Sequence, residues 1–155
     1  MKRKKIGGWI GLGLLSVLLG MQLIRPVKNA GEATGANDIT RVIPTSGGVQ
    51  QVLAASCYDC HSNHTEYPWY TEVMPVGWWI GHHVEEGKEE LNFTEAGSYA
   101  VKKLDHKLEE IEEEVREGKM PPSDYTRIHE GAKLTGEQKQ LLYDWVKEGR
   151  EVLRN

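Results

Sequence analysis

The pentapeptide Cys57-Tyr58-Asp59-Cys60-His61 constrains this chain more than any other feature. It contains both cysteines of the 155-residue sequence, and its C-x-x-C-H spacing is typical of a site where haem is attached covalently. Two thiols about one helical turn apart can each bond to one vinyl group of a porphyrin. The histidine that follows can give the iron one axial nitrogen. The motif therefore predicts one covalent haem c, bound by Cys57, Cys60 and His61, with His61 as an iron ligand.

Three other uses of a C-x-x-C pair fit the sequence less well. A redox dithiol usually lies beside a strand–helix–strand unit, and the sequence indicates no such unit. A zinc site usually has a second ligand pair of similar spacing, but His82 and His83 are adjacent, which suits one metal ion badly. A structural disulfide would make no use of His61. Haem is therefore favoured over zinc, a dithiol and a disulfide.

The N-terminus predicts a membrane anchor. Basic residues 2–5 precede an uncharged run over residues 6–24, which ends at Arg25 and Pro26. About 19 helical residues extend about 29 Å, close to the hydrocarbon thickness of a bilayer. The run is longer than the apolar part of a cleaved signal peptide, and no good cleavage site follows it. Because basic flanks stay cytoplasmic, we expect a single-pass helix in the cytoplasmic (inner) membrane, with the haem domain on the periplasmic side.

These features divide the chain into three parts. Residues 1–25 form the predicted anchor, and residues 26–46, without an apolar period, form a predicted flexible tether. Residues 47–155 form the predicted haem-binding domain, which has 12 Lys and Arg against 21 Asp and Glu, a formal charge of −9. This acidity argues against nucleic acid as a partner. It indicates either a soluble surface, the simpler interpretation, or docking to a basic redox protein.

Hydrophobic periodicity predicts an all-α domain without strands. We expect helices over residues 49–55, about 76–90, about 100–117, and from residue 135 onward. Gly118 is a typical residue for the end of the third helix, and Thr135 with Gln138 forms a capping box at the start of the fourth. Because so small a domain has a limited core, we expect the porphyrin to supply much of it.

Met120 is the preferred candidate for the second axial position of the iron. It is followed by Pro121 and Pro122, which stiffen a loop that can hold a thioether against iron. It lies far enough after His61 for two helices between the two ligands. Methionine is a known haem ligand that raises the reduction potential. The alternative is that Met120 fills a gap in the core.

Weaker candidates for the same position are Met74, His82, His83, His106 and His129. Of these, His82 and His83 are the strongest, because they lie in an aromatic-flanked helix that could face the ring. His64 is too close to His61 to reach the opposite face.

Two further expectations concern the surroundings of the ring. Trp69, Trp78 and Trp79 are expected to pack against it or within the core. The second ring nitrogen of His61 is expected to contact a carbonyl or a carboxylate, as metal-bound histidines usually do, and the carbonyl of Tyr67 or Pro68 is the candidate partner.

With these residues in view, the chain resembles the bacterial haem-binding-domain family, a branch of small single-haem c-type cytochromes. The matching segments are Cys57–Asn63, Tyr67–Tyr70, Trp78–Trp79, His82–Gly87, Leu91–Thr94, Met120–Pro122, Tyr125, His129 and Ala132–Thr135. The resemblance implies an all-α, cytochrome c-like fold whose first and last helices pack across each other. It also implies thioethers at Cys57 and Cys60, with His61 as the proximal ligand and Met120 as the distal one.

The function favoured by these observations is one-electron transfer. If His61 and Met120 fill both axial positions, the iron is closed to substrates. We therefore expect a membrane-anchored monohaem cytochrome that transfers electrons between redox proteins, and not an enzyme. Two alternatives stay open. One is a peroxidase-like enzyme or gas sensor with an open distal site, served by His82 or His83. The other is a subunit of a larger membrane complex whose haem mainly stabilises the fold.

Overall fold

The computed structural model describes residues 2–154, with side chains from residue 8 onward. These residues form eight α-helices: α1 (Lys2–Met21), α2 (Ile39–Val42), α3 (Gly47–Ser56), α4 (Tyr58–His61), α5 (Val76–Glu90), α6 (Val101–Arg116), α7 (Ser123–Ile128) and α8 (Gly136–Arg154). Three 3-10 helices lie between them, at Trp69–Glu72, Phe93–Ser98 and Glu130–Ala132. Over the same range there is no β-strand, only an isolated bridge between Ala30 and His64. The all-α prediction is confirmed.

Local sequence explains where several helices begin and end. Ser46 caps α3, because its hydroxyl oxygen accepts a hydrogen bond from the Val49 amide over 3.3 Å. At α8, the Gln138 amide donates to Thr135 Oγ1 over 3.2 Å, and the Thr135 amide donates to Gln138 Oε1 over 2.8 Å. This is the capping box that the sequence predicted. Beyond α6, Gly118 has a φ of 73°, in the left-handed region that favours glycine.

Helix α1 ends three residues before the end of the apolar run that predicted an anchor. It ends at Met21, so its uncharged part, residues 6–21, is about 16 residues or about 24 Å long, less than the hydrocarbon core of a bilayer. Its first four residues are basic. Across residues 2–154, none of the helices has both the length and the apolar character that a membrane crossing requires. This finding overturns the predicted single-pass anchor and the inner-membrane, periplasmic-side location inferred from it.

By its internal contacts, the chain divides into two compact units. The first contains Met1–Lys28 and Glu66–His83, and the second contains Asn29–Thr65 and Val84–Asn155. Helix α5 contributes residues to both. The second unit contains the C-x-x-C-H motif and nearly all of the buried apolar side chains, so it carries the candidate site.

Polar contacts hold the first unit together. Gln22 Nε2 donates to the Met74 carbonyl and the Met74 amide donates to Gln22 Oε1, each over 3.0 Å. Arg25 pairs with Glu72 over 2.6 Å, and Lys28 binds the same carboxylate. The hydrogen bond from Lys28 is the main reason why the pKa of Glu72 is lowered. Met74 is buried here, as a core residue of this unit.

Residues 29–46 pack into the core of the second unit. Ile39 and Ile43 are fully buried. The buried Asp38 caps the start of helix α2, because its Oδ1 accepts a hydrogen bond from the Thr40 amide over 2.9 Å. Composition predicted a flexible tether over residues 26–46, whereas residues 38–43 of that segment are fixed by these contacts. The spacing of Ile39 and Ile43, four residues apart, indicates a buried helix face. The prediction from composition did not use this spacing.

The core of the second unit is one cluster of buried apolar side chains. Its members are Ile39, Ile43, Val49, Val52, Leu53, Leu91, Phe93, Ala96, Leu104, Leu108, Val115, Leu142, Trp145 and Val146. Helix α8 contacts both α3 and α6. Gly149 permits α8 to approach α6 and the residue that follows α2, because a Cβ there would lie 2.7 Å from Ile43 Cγ2 and 3.3 Å from Leu108 Cδ1. The first and last helices of the predicted haem domain are therefore in contact.

A double hydrogen bond also joins α6 to α8. Arg150 Nε donates to Asp105 Oδ1 over 2.9 Å, and a second guanidinium nitrogen donates to Asp105 Oδ2 over 3.2 Å. The two side chains are only 19% and 25% exposed. This contact with Arg150 is the main reason why the pKa of Asp105 is lowered.

We expect Asp105→Asn to lower the free energy of unfolding at pH 7 by about 0.5–1 kcal/mol. Because folding lowers the pKa of Asp105, its carboxylate stabilises the folded state fully above about pH 4, the ordinary aspartate pKa. This stabilisation is lost as the pH falls through the pKa of Asp105 in the folded state. Urea unfolding of both proteins at several pH values tests this. The control is Asp124→Asn, which breaks an exposed pair with Arg127 within α7 and should change nothing measurable. Equal losses in the two variants would contradict the account.

Candidate cofactor site

One cavity in the second unit contains three of the four residues predicted to bind the cofactor. Its volume is about 370 Å³, within the range of ligand-binding cavities, about 300–1,000 Å³. Cys57, His61 and Met120 line it, and Cys60 lies in the same turn as His61, helix α4. Apolar side chains from four segments form much of the wall: Leu91, Phe93, Ile111, Val115, Pro121 and Leu134.

The turn that carries the motif contains both cysteines, of which Cys57 lines this cavity. Helix α3 ends at Ser56, directly before Cys57, and the amides of Cys60 and His61 donate to the Cys57 carbonyl over 3.2 and 3.0 Å. Burial raises the pKa of the Cys57 thiol to about 12 and that of Cys60 to about 11, with smaller contributions from Cys60 and Asp59 respectively. Both side chains are therefore neutral thiols at pH 7.

His61 is oriented by a backbone carbonyl. Its Nδ1 lies 3.0 Å from the Leu91 carbonyl oxygen, so Nδ1–H is the donor and Nε2 carries the lone pair. Burial is the main reason why the pKa of His61 is lowered, which keeps the imidazole neutral and able to bind a metal. The expectation of a carbonyl partner is confirmed, but the partner comes from Leu91, not from Tyr67 or Pro68.

The two residues between the cysteines have distant partners. The Tyr58 hydroxyl donates to Asp38 Oδ2 over 2.9 Å, and its ring stacks on Phe93 with the centroids 5.3 Å apart. The Tyr125 hydroxyl donates to Asp59 Oδ2 over 2.7 Å. The sequence analysis assigned no contact to Tyr58 or Asp59. Hydrophobic periodicity cannot predict such contacts, because they join positions far apart in the chain.

Met120 and His61 line the same cavity. Met120 follows α6 in a loop, where its amide and that of Lys119 donate to the Glu114 carbonyl over 3.1 and 2.9 Å. The Met120 side chain is 37% exposed. Among the described residues that line the cavity, it is the one methionine and His61 the one histidine.

None of the alternative distal ligands is among the described residues that line this cavity. Met74, His82 and His83 belong to the first unit, and within the described part of the chain they do not line this cavity. Trp69, expected near the ring, is in the first unit and 80% exposed. Phe93 and Leu91 form the wall instead. The feature of the sequence that could have identified them is the pair of apolar residues, Leu91 and Phe93, directly after α5.

Charged residues make part of the cavity lining acidic. Lys107 is the one lysine among the described lining residues. Four glutamates also line the cavity: Glu90, Glu110, Glu113 and Glu114. Lys107 Nζ lies 2.7 Å from Glu110 Oε2 and 3.4 Å from Glu90 Oε2, and its side chain is only 13% exposed. The hydrogen bond to Glu110 is the main reason why the pKa of Lys107 is raised. The lysine therefore stays charged, and the carboxylates outnumber it.

The chemistry of these residues fits a haem. The cavity offers an apolar wall, the Cys57 thiol, a neutral imidazole with a defined tautomer, and a thioether, and Cys60 lies on the same turn as His61; these are the groups that hold c-type haem. They fit zinc poorly, because the described residues contain no group of three or more His, Cys, Asp or Glu side chains arranged around a metal position.

Gly87 lets helix α5 approach the motif. A Cβ at this position would lie 2.9 Å from the Cys60 carbonyl oxygen and 3.3 Å from the Cys60 Cβ.

We expect Gly87→Ala to displace the turn and to lower the free energy of unfolding by about 1–3 kcal/mol, as measured by urea unfolding. The control is Gly136→Ala, since a Cβ there has no atom within 4 Å. Equal stability of Gly87→Ala and wild type would show that the approach is not tight.

The sequence matches a family of known proteins. Residues 16–148 match a family described as a haem-binding domain. No curated protein and no solved structure matches significantly. The matched region includes the motif, the Leu91 carbonyl and Met120, and it covers most of the sequence. The chain therefore belongs to the haem-binding domain family.

Proposed function

We propose that this protein is a single-haem c-type cytochrome that transfers one electron at a time between redox proteins. The observation that carries the proposal is that Cys57, His61 and Met120 line one cavity in a chain of a haem-binding family. When bound, haem supplies an iron that exchanges single electrons between its ferric and ferrous states. The residues of the chain attach it, bind its iron and set its potential.

Cys57 and Cys60 are proposed to attach the cofactor. Each thiol would add across one vinyl double bond, with sulfur bonding to one carbon and the thiol hydrogen passing to the other. The short α3–α4 connection supports this role, because it keeps both cysteines on one turn. The contact between α3 and α8 is consistent with a cytochrome c-like arrangement, in which the first and last helices meet.

His61 and Met120 are proposed as the two axial ligands. The Leu91 carbonyl accepts the Nδ1 hydrogen of His61, which fixes the ring and makes Nε2 a stronger donor. The Met120 thioether favours the ferrous state and so raises the potential. With both positions filled, the iron is closed to substrates, which supports electron transfer over peroxidase-like or gas-sensing activity.

The redox partners are proposed to be proteins, at least one with a basic docking face. The formal charge of −9 over residues 47–155 and the four glutamates at the cavity support this, because complementary charge steers association between proteins. Association rates should therefore fall as ionic strength rises.

We expect protein made with haem-maturation machinery to carry one haem that survives denaturation. In the double variant Cys57→Ala/Cys60→Ala, no thioether can form, so all pigment should pass into acidified organic solvent. Intact mass and solvent extraction check this. Release of haem from the wild type under the same conditions would reject covalent attachment.

We expect Met120→Leu to abolish the weak near-infrared sulfur-to-iron band of the ferric protein. The potential should fall on the order of 0.1 V, within the range of about 0.8 V that axial ligands span, and carbon monoxide should bind the ferrous protein rapidly. The matched control is Met74→Leu, the same exchange at a buried position in the first unit. Unchanged spectra in Met120→Leu would reject Met120 as the ligand.

A further inference from the structure

Asp59 connects the attachment motif to the segment that follows Met120. The Tyr125 hydroxyl donates to Asp59 Oδ2 over 2.7 Å, between residues 66 positions apart, and the contact is partly buried. The Asp59 backbone is itself held, since its carbonyl accepts a hydrogen bond from Thr65 Oγ1 over 2.6 Å. A residue inside the C-x-x-C-H motif thus has a fixed carboxylate that contacts α7.

Helix α7 is close to Met120 in the chain. It begins directly after Pro122, and the two prolines restrict the backbone between Met120 and the helix. The Tyr125 ring stacks on His129, with the centroids 4.2 Å apart and an interplanar angle of 15°. The position of the Tyr125 phenol is therefore linked to that of the Met120 loop.

The Met120 loop is anchored on both sides. On the α6 side, the amides of Lys119 and Met120 donate to the Glu114 carbonyl. On the α7 side, Tyr125 donates to the Asp59 carboxylate. Hydrogen bonds to charged groups are stronger than neutral ones, so the second anchor is well suited to hold a loop whose methionine is itself partly exposed.

We propose that Tyr125 is a positioning residue for the distal ligand, and that its hydrogen bond to Asp59 holds Met120 at the cavity and limits access of external ligands to the iron. This inference rests on the proposed function, in which Met120 is the distal ligand. It makes the motif responsible for both faces of the cofactor. His61 serves the proximal face directly, and Asp59 serves the distal face through Tyr125.

The test uses the haem-loaded protein and the variant Tyr125→Phe, with imidazole as the external ligand of the ferric iron. Loss of a hydrogen bond to a carboxylate should raise the imidazole affinity about tenfold and speed deuterium exchange of the amides of residues 119–128. The near-infrared band should weaken. The matched control is Tyr143→Phe, which removes a hydroxyl from a ring packed on Arg116 and should leave all three readouts unchanged.

A second variant separates positioning from general damage. Asp59→Asn keeps an oxygen that accepts the Tyr125 hydrogen bond, so its increase in imidazole affinity should be smaller than that of Tyr125→Phe. An unchanged affinity in Tyr125→Phe, with a normal band in the wild type, overturns this proposal alone. Faster exchange without a change in affinity overturns it as well, because the loop would then not control access. Absence of the band from the wild type overturns the Met120 assignment and this proposal together.

Discussion

The hydrogen-bonded turn from Cys57 to His61 is the constraint on which the rest of the second unit depends. His61 contacts the Leu91 carbonyl, Tyr58 contacts Asp38, and Asp59 contacts Tyr125. These partners come from the segments after α5, before α2 and within α7. Three distant parts of the chain are therefore fixed by one turn of five residues. A change in that turn would therefore alter the cavity wall at Leu91, the packing of α2 and the Met120 loop together.

The cavity lies where the helical packing leaves space beside this turn. Helices α3, α6 and α8 form a continuous core through residues such as Leu53, Leu108 and Val146, and the wall of the cavity continues that core with Ile111 and Leu134. Small domains bury too little apolar surface for a large stability margin. A bound porphyrin would extend the core into the cavity, so cofactor binding and folding stability are expected to be coupled.

Local sequence patterns predicted the longer helices well. They did not predict the contacts between residues far apart in the chain. Helix α5 and the Thr135–Gln138 capping box have the expected positions, because periodicity and caps are encoded by neighbouring residues. The Leu91 carbonyl and the Asp59–Tyr125 pair could not be predicted, since no local rule selects which distant group meets a side chain. The anchor prediction failed for a local reason: the apolar run continues past Met21, where helix α1 ends.

The proposed function requires one iron to be held between His61 and Met120. Iron K-edge X-ray absorption on the ferric, haem-loaded protein tests it most directly, because thioether-bonded cysteines are not iron ligands and any sulfur bound to iron must come from a methionine. The account predicts one sulfur among the six ligand atoms, and its loss in Met120→Leu but not in Met74→Leu. Six nitrogen or oxygen ligands in the wild type would contradict it.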